Sequence, residues 1–262
     1  MVRAHLLWDY GRESDFISWS SSILWVLEHA ARMHTYEHKR NVHVAVMDTR
    51  KIHDMAIFPA TTLMNVYGIP VINDPQAHKL NKDYYTAEYL FHGPLRNSIS
   101  DPCYKAVEWE HICKSDLWNM LRIFSERSSF ERELFLRIEQ HRCNFESGAA
   151  APQGQDIVPI LAPLGALFGN EFQVVVIFAL ATLLRGQQTP RAPELAQALS
   201  KLQLPPPHDL EGIIRFECVQ YVDIGLTEVT RMYRSLGEIL TLEKGILQQE
   251  LPTAVDNMST QG

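Results

Sequence analysis

Short apolar runs separated by turn residues fill the first part of the chain. Residues 15–20, 42–47 and 88–92 are rich in β-branched and aromatic side chains, which is typical of β-strands. Apolar residues at both odd and even positions of 42–47 predict a central strand with both faces covered. We therefore expect one small sheet that joins these three segments.

Helical patterns follow the first and second of these strands. After a serine that can cap a helix, Ile23, Val26, Leu27, Ala30 and Ala31 repeat with the spacing of one apolar helix face. Residues 60–67 predict a second, short helix that Gly68 ends. The polar segment 73–86 predicts a loop before the third strand.

The remaining chain is dominated by longer helical patterns. Residues 157–184 are the most apolar segment and predict a buried helix or helical hairpin. Apart from Thr182, residues 174–184 are all apolar, but they are about half of the roughly 20 residues that a membrane span needs, so a membrane hairpin is the weaker alternative. Residues 210–251 form the longest helical pattern, with one or two breaks expected at its glycines.

These patterns predict an α+β protein. We expect a small mixed or antiparallel sheet with helices in the N-terminal half and a mostly helical C-terminal half. The corresponding divisions are an α+β domain over 1–113, a helical region over 114–251 and a disordered tail over 252–262. The boundary near residue 113 is soft, because residues 108–142 predict an almost continuous helix.

Composition narrows the class of protein. The 262 residues carry a net charge of −7, which argues against a broad basic surface for nucleic acid. Four cysteines without close spacing indicate free thiols in a reducing compartment. The N-terminus has no apolar run of a signal peptide's length, about 7–15 residues. We expect a soluble intracellular protein, cytoplasmic or nuclear, that binds neither nucleic acid nor membrane.

Known catalytic and metal motifs are missing from the sequence. It contains no phosphate-binding glycine loop, no dinucleotide fingerprint, no kinase signature and no serine nucleophile elbow. His34 and His38 are four residues apart, but a catalytic metal site needs a third ligand, and no metal site is predicted. Any candidate site must come from the order of the strands and helices.

That order carries a family resemblance. A stretch with histidine, leucine and tryptophan comes first, followed by a Phe-Ile-Ser strand and a helix with paired alanines. Next comes a strand that ends in Asp-Thr, and last a Glu-Tyr-Leu segment. The matching residues are His5, Leu6, Trp8, Phe16, Ile17, Ser18, Val42, Val44, Val46, Asp48, Thr49, Glu88, Tyr89 and Leu90. Over roughly residues 1–112 the chain resembles an uncharacterised domain widespread in filamentous-fungal proteins.

That domain resembles, more distantly, the mono-ADP-ribosyltransferase fold. The resemblance implies that Ser18 or Ser20 takes the position of a serine that orients a carboxylate, and that Glu88 takes the position of the carboxylate. It also implies NAD as cofactor, with the carboxylate stabilising an oxocarbenium-like transition state at the nicotinamide ribose. Ser18, Ser20 and Glu88 are therefore the candidate catalytic residues, and they should converge if there is any catalysis.

The chain departs from the transferase pattern in three places. Trp19 stands where threonine is expected, and Thr86 stands where a second acidic residue is expected. Arg3, His5 and Arg12 are too close to Ser18 for a full strand and helix to intervene, so no residue is assigned to the phosphates. The simpler interpretation of Glu88 is an exposed residue on a sheet edge, where charge discourages pairing.

Two functions of different class follow. The first is a non-catalytic α+β domain without a cofactor, whose helical extension contacts an unknown protein partner. The alternative is an NAD-dependent, mono-ADP-ribosyltransferase-like enzyme, or a degenerate descendant of one. They differ in whether Glu88 is essential and whether NAD binds.

Overall fold

A computed structural model describes residues 5–6, 16–52, 56–69, 87–92, 103–114, 134–147, 158–183 and 228. Within these residues the protein is α+β, as predicted, and has five strands and six α-helices. The strands are β1 (Phe16–Ser20), β2 (His43–Met47), β3 (Ala56–Pro59), β4 (Glu88–His92) and β5 (Tyr104–Glu108). The helices are α1 (Ile23–Thr35), α2 (Ala60–Val66), α3 (Trp109–Cys113), α4 (Leu134–Ser147), α5 (Val158–Ala166) and α6 (Asn170–Leu183).

The larger of two described sheets has the order β1–β4–β3 and is antiparallel throughout. Strand β4 lies in the centre, with Ser20 opposite Glu88 and Ser18 opposite Leu90. Strand β3, which the sequence patterns did not predict, pairs with the other side of β4. It is only four residues long and ends in Pro59, which suits a strand at the edge of a sheet.

The prediction of one sheet for all three segments is wrong. Strand β2 pairs instead with β5 in a separate antiparallel sheet, and within the described residues it has no second neighbour. Val44 lies opposite Val107, and both side chains are buried in the same core as helix α1. On one face of β2, Val44 is buried and Val46 is partly buried against the core that includes α1. Ala45 and Met47 on the other face are only partly buried, so the prediction of two covered faces holds for one face.

Helix α1 begins where the sequence predicted. Ser22 is its N-cap, and the Ser22 hydroxyl accepts a hydrogen bond from the Trp25 N–H at 3.2 Å. The helix buries Leu24, Leu27, Ala30 and Ala31 completely or almost completely. This helix connects the two sheets, because it follows β1 directly and packs against β2.

Helix α2 ends in the way that Gly68 predicted. Gly68 has a φ of +61°, and the Ile69 N–H bonds back to the Met64 carbonyl at 2.8 Å. That pattern is a Schellman motif, which favours glycine because a side chain is strained at positive φ. Leu63, Met64 and Ile69 join Leu6 and Leu90 in a small core on one face of the larger sheet.

Within the apolar segment predicted to be a buried helix or helical hairpin, residues 158–183 form a hairpin of α5 and α6. A Cβ atom at Gly165 would lie 2.8 Å from Cγ1 of Ile177, so only glycine allows the two helices to approach this closely. Of the helices that the structure describes, none is both long and apolar enough to cross a membrane. Buried residues of α6, including Val176 and Ile177, share one core with Ile138 of α4 and Leu27 of α1.

Several predictions fall on other parts of the chain. The predicted loop 73–86, most of the predicted helix 210–251 and the predicted tail 252–262 lie outside the described residues. Residue 228 is helical and buried. Among the described residues, Cys103, Cys113 and Cys143 form no disulfide, and Cys218 lies outside those residues.

Candidate functional site

Strand alternation brings the predicted site residues to one face of the larger sheet. Ser18 and Ser20 are two positions apart on β1, so their side chains leave the same face. Glu88 lies opposite Ser20 in the antiparallel register and therefore shares that face. Trp19, between the serines, belongs to the opposite face, so tryptophan in place of threonine there leaves the serine face unobstructed.

Ser18 and Glu88 are in direct contact. The Ser18 hydroxyl donates a hydrogen bond to Oε1 of Glu88 at 2.5 Å, which is typical of a hydroxyl bonded to a carboxylate. The two residues are diagonal neighbours across β1 and β4, since Ser18 is paired with Leu90. The convergence that any catalysis requires is therefore present for Ser18.

Ser20 makes a different hydrogen bond. Its hydroxyl oxygen accepts a hydrogen bond from the Ser22 N–H at 3.1 Å, in the turn between β1 and α1. Although Ser20 lies directly opposite Glu88, its hydroxyl oxygen bonds to the backbone of the turn. Of the two serines left open by the sequence, Ser18 is the one that contacts the carboxylate.

His5 is the site residue that sequence reasoning excluded. Its Nε2 lies 2.9 Å from the Ser18 hydroxyl oxygen. Because the single hydroxyl proton of Ser18 goes to Glu88, Nε2 of His5 must be the donor. His5 was judged too close in sequence to Ser18 because a strand and a helix were thought to be required between them.

The position of His5 has a simple structural basis. Residues 5 and 6 are helical, and Leu6 is buried in the same small core as Phe16 and Leu90. Anchoring Leu6 on this face of the sheet places the neighbouring imidazole above β1, where it also makes an edge contact with the Phe16 ring at 5.9 Å. The sequence signal was the pair His5-Leu6, an imidazole beside an apolar anchor.

The interpretation of Glu88 as an exposed residue on a sheet edge is wrong. Glu88 is in the central strand of its sheet and is partly buried, and its Oε2 is fully shielded from solvent. That oxygen receives no hydrogen bond from the part of the chain that the structure describes. A shielded carboxylate oxygen without a donor is able to accept one from a ligand hydroxyl.

Burial also changes the acidity of the site. It raises the pKa of Glu88 from 4.5 to about 6, although the Ser18 hydrogen bond acts in the opposite direction. Burial lowers the pKa of His5 below its ordinary value of 6.5, so the imidazole is neutral near pH 7. At neutral pH the site therefore combines an ionised carboxylate, a hydroxyl and a neutral imidazole.

This set of groups suits some ligands and not others. A carboxylate with a free oxygen can hold a sugar hydroxyl and can stabilise positive charge that develops on a neighbouring ribose carbon. Among the described residues, no group of three or more His, Cys, Asp or Glu side chains is placed to hold a metal ion. His34 and His38 also do not share a helix face, because α1 ends at Thr35 and His38 has a φ of +53°.

Comparison with known proteins gives one match. Residues 1–98 match the family model described as a domain of unknown function, DUF7587. The match confirms the resemblance to an uncharacterised domain family, over a slightly shorter range than the expected 1–112. It includes His5, Ser18 and Glu88, whereas strand β5 and helices α3 to α6 lie beyond it. No curated protein and no solved structure matches the chain.

Proposed function

We propose that the chain is an ADP-ribosyltransferase-like protein that binds NAD through the face carrying His5, Ser18 and Glu88. The observation behind this proposal is the hydrogen bond between Ser18 and the partly buried Glu88 on the central strand. A serine that orients a strand-end glutamate is the arrangement that the transferase resemblance implies. The proposal includes an origin in the fungal family of such domains.

The proposed reaction breaks the bond between ribose C1′ and the nicotinamide nitrogen. The bonding electron pair goes to that nitrogen, which loses its positive charge, and the ribose becomes oxocarbenium-like. Glu88 stabilises this cation and its Oε2 accepts a hydrogen bond from a ribose hydroxyl, while Ser18 fixes the carboxylate. Water or an acceptor side chain then bonds to C1′ and releases its proton to solvent.

Isothermal titration of the full chain with NAD, together with a nicotinamide-release assay, tests the proposal. We expect saturable heat and slow release of nicotinamide in the wild type, and loss of release in Glu88→Gln. The matched control is Glu110→Gln, an exposed glutamate on α3, which should bind and react as the wild type does. Absence of both heat and nicotinamide release in the wild type would contradict the proposal.

One observation favours a second candidate, a non-catalytic domain that contacts a protein partner. His5 is neutral near pH 7, and within the described residues no cationic side chain contacts Ser18 or Glu88, so the NAD pyrophosphate lacks a described partner. In this case the site is a degenerate pocket, and the protein acts through contacts made by its helical extension. An intact Ser18–Glu88 contact in a chain that gives no heat with NAD would favour this candidate.

Both candidates share one proposed setting. We propose that the protein works inside the cell, in the cytoplasm or nucleus, with a protein partner and not with nucleic acid. The net charge of −7 supports the exclusion of nucleic acid, because binding its phosphates needs an excess of Lys and Arg. An electrophoretic mobility shift assay with labelled duplex DNA and single-stranded RNA at low salt tests this exclusion. A shifted band with either nucleic acid would overturn it.

A further inference from the structure

A second polar cluster reaches the turn that carries the site serines. It consists of Ser22, Arg142 and Glu228, which we call the clamp. Ser22 is the N-cap of α1, Arg142 is in α4, and Glu228 is 206 positions from Ser22 in sequence. Arg142 and Glu228 both lie beyond residues 1–98, the part that matches the family model.

The contacts of the clamp are short and shielded. The Ser22 hydroxyl donates to Oε1 of Glu228 at 2.5 Å, while Arg142 donates from Nε to Oε2 at 3.1 Å and from Nη2 to Oε1 at 3.0 Å. The Glu228 side chain is 1% exposed and that of Arg142 is 11% exposed. A two-pronged arginine contact fixes the orientation of the carboxylate as well as its charge.

Ser22 is rigidly connected to the candidate site. Its N–H donates to the Ser20 hydroxyl at 3.1 Å, and the neighbouring Ser21 N–H donates to the Ala87 carbonyl at 2.9 Å. Ala87 immediately precedes Glu88, so this short turn ties the end of β1 to the beginning of β4. The turn lies at the end of the strand ladder, where pairing by itself is weakest and an external support has most effect.

From these contacts we infer that Arg142 and Glu228 are positioning residues for the Ser18–Glu88 site. The clamp holds the β1–α1 turn, and the turn holds Ser18 at hydrogen-bond distance from Glu88. The helical region is then part of the site's support, and the segment that matches the family lacks this support by itself. The inference depends on the proposed function only in the part of its test that measures NAD binding.

The test measures the site in the full chain by two independent readouts. The first is the titration midpoint of the Glu88 carboxyl carbon in ¹³C-labelled protein, assigned by comparison with Glu88→Gln. The second is NAD affinity by isothermal titration. The neutral double variant Arg142→Gln with Glu228→Gln removes the clamp without leaving a buried charge, and Arg142→Lys is the conservative variant. Arg32→Gln on α1 is the control, since it removes a partly exposed charge that pairs with Glu37 and lies over the Tyr36 ring, away from the clamp residues.

If the clamp positions the site, the double variant loosens the Ser18 hydrogen bond that lowers the pKa of Glu88. The Glu88 midpoint then rises above the wild-type value and NAD binds several-fold more weakly, while Arg142→Lys restores most of the midpoint and Arg32→Gln changes neither. Should the double variant fail to fold, Glu228→Gln alone gives the same comparison with Arg142 retained.

A folded clamp variant with an unchanged Glu88 midpoint overturns the inference, whatever it does to stability. The two proposals fail separately. If the wild type binds no NAD but the Glu88 titration midpoint still rises in the clamp variant, the proposed ligand is wrong and the positioning role of the clamp is supported.

Discussion

Three glutamates with shielded carboxylates lie in different regions of the molecule, and their partners differ. Glu28 of α1 is fully buried, with Nη2 of Arg137 at 2.8 Å and Nε2 of His141 at 2.8 Å. Glu228 is 1% exposed and is held by Arg142 and Ser22. Glu88, by contrast, has a hydroxyl as its described partner and no described cation.

The difference separates a packing role from a site role. A buried carboxylate that joins two helices is stable only with an opposite charge, which Glu28 and Glu228 both have. Glu88 lacks such a charge in the described structure, and burial raises its pKa to about 6, so its ionised form is costly to the fold. Energetically unfavourable groups persist mainly at functional sites. We therefore assign the site to Glu88 and a structural role to Glu28 and Glu228.

The largest expected effect comes from adding a carboxylate where no partner exists. Val176 of α6 is 2% exposed in the shared core, and Val176→Asp should abolish cooperative folding. An unpaired buried charge costs several kcal/mol, against a total stability of about 5–15 kcal/mol. Thermal unfolding followed by circular dichroism measures this.

The control is Leu167→Asp, in the turn before α6, because Leu167 is 37% exposed. This variant should unfold within about 1 kcal/mol of the wild type. A folded Val176→Asp protein of near wild-type stability would contradict the buried hairpin.

Removing the cation from Glu28 should have the next largest effect. Arg137 is 2% exposed, and Arg137→Ala leaves Glu28 buried without its guanidinium partner. We expect a loss of about 3–5 kcal/mol in urea unfolding at pH 7. Arg32 is on the same helix as Glu28, and Arg32→Ala removes its partly exposed contacts with Glu37 and the Tyr36 ring, which should cost under about 1 kcal/mol. Equal losses of unfolding free energy in the two variants would show that the buried ion pair contributes no more to stability than the partly exposed one.

Much of this contrast lies beyond what sequence patterns can predict. Glu28 pairs with residues 109 and more positions away, and the pattern of α1 places it among polar positions with no sign of burial. The strands β1 and β4 were predicted correctly because alternation and turn residues are local signals. The pairing of β2 with β5 was missed because periodicity shows which face is apolar and not which strand is the neighbour.

The candidate site was partly predictable for the same reason. Ser18 and Glu88 share a face by strand parity, once β1 and β4 are known to pair. His5 was missed because it reaches Ser18 from outside the sheet, through the anchoring of Leu6 in a core that no local pattern reveals. The shielding of Glu88 also required knowledge that β4 is a central strand.

Unlike the substitutions above, which lower the stability of the protein, Glu88→Gln should raise it at high pH. The folded protein holds the Glu88 proton up to about pH 6 and the unfolded chain up to about 4.5, so wild-type stability falls as the pH rises through that window. Glutamine keeps the shape without the charge. At pH 8 the variant should be more stable than the wild type by at most about 2 kcal/mol, and at pH 4 the two should be nearly equal.

Parallel urea unfolding of the two proteins at both pH values measures that difference. Glu108→Gln, an exposed glutamate on β5, is the control and should follow the wild type at each pH. A Glu88→Gln protein that is less stable than the wild type at pH 8 would show that the ionised carboxylate supports the fold.

Ser18→Ala should have the smallest effect on stability. It removes the described donor to Glu88 and the acceptor of His5, which costs about 1 kcal/mol for partly exposed groups. Because the Ser18 hydrogen bond lowers the pKa of Glu88, its loss should also raise that pKa further. Urea unfolding combined with a carboxyl ¹³C titration of the variant reports both quantities, and a lowered Glu88 midpoint would contradict the described geometry.

The central claim is that Glu88 is a shielded carboxylate, with no compensating cation among the residues that the structure describes, and that Ser18 holds it for a ligand. Titration of the Glu88 carboxyl carbon by ¹³C NMR in the wild type tests it most directly, with Glu28 and Glu228 in the same spectra for comparison. The account predicts a midpoint for Glu88 near pH 6, in accord with its raised pKa. A midpoint at or below 4.5 would contradict it, because burial without a neighbouring cation raises the pKa of Glu88 above that value even with the Ser18 hydrogen bond in place.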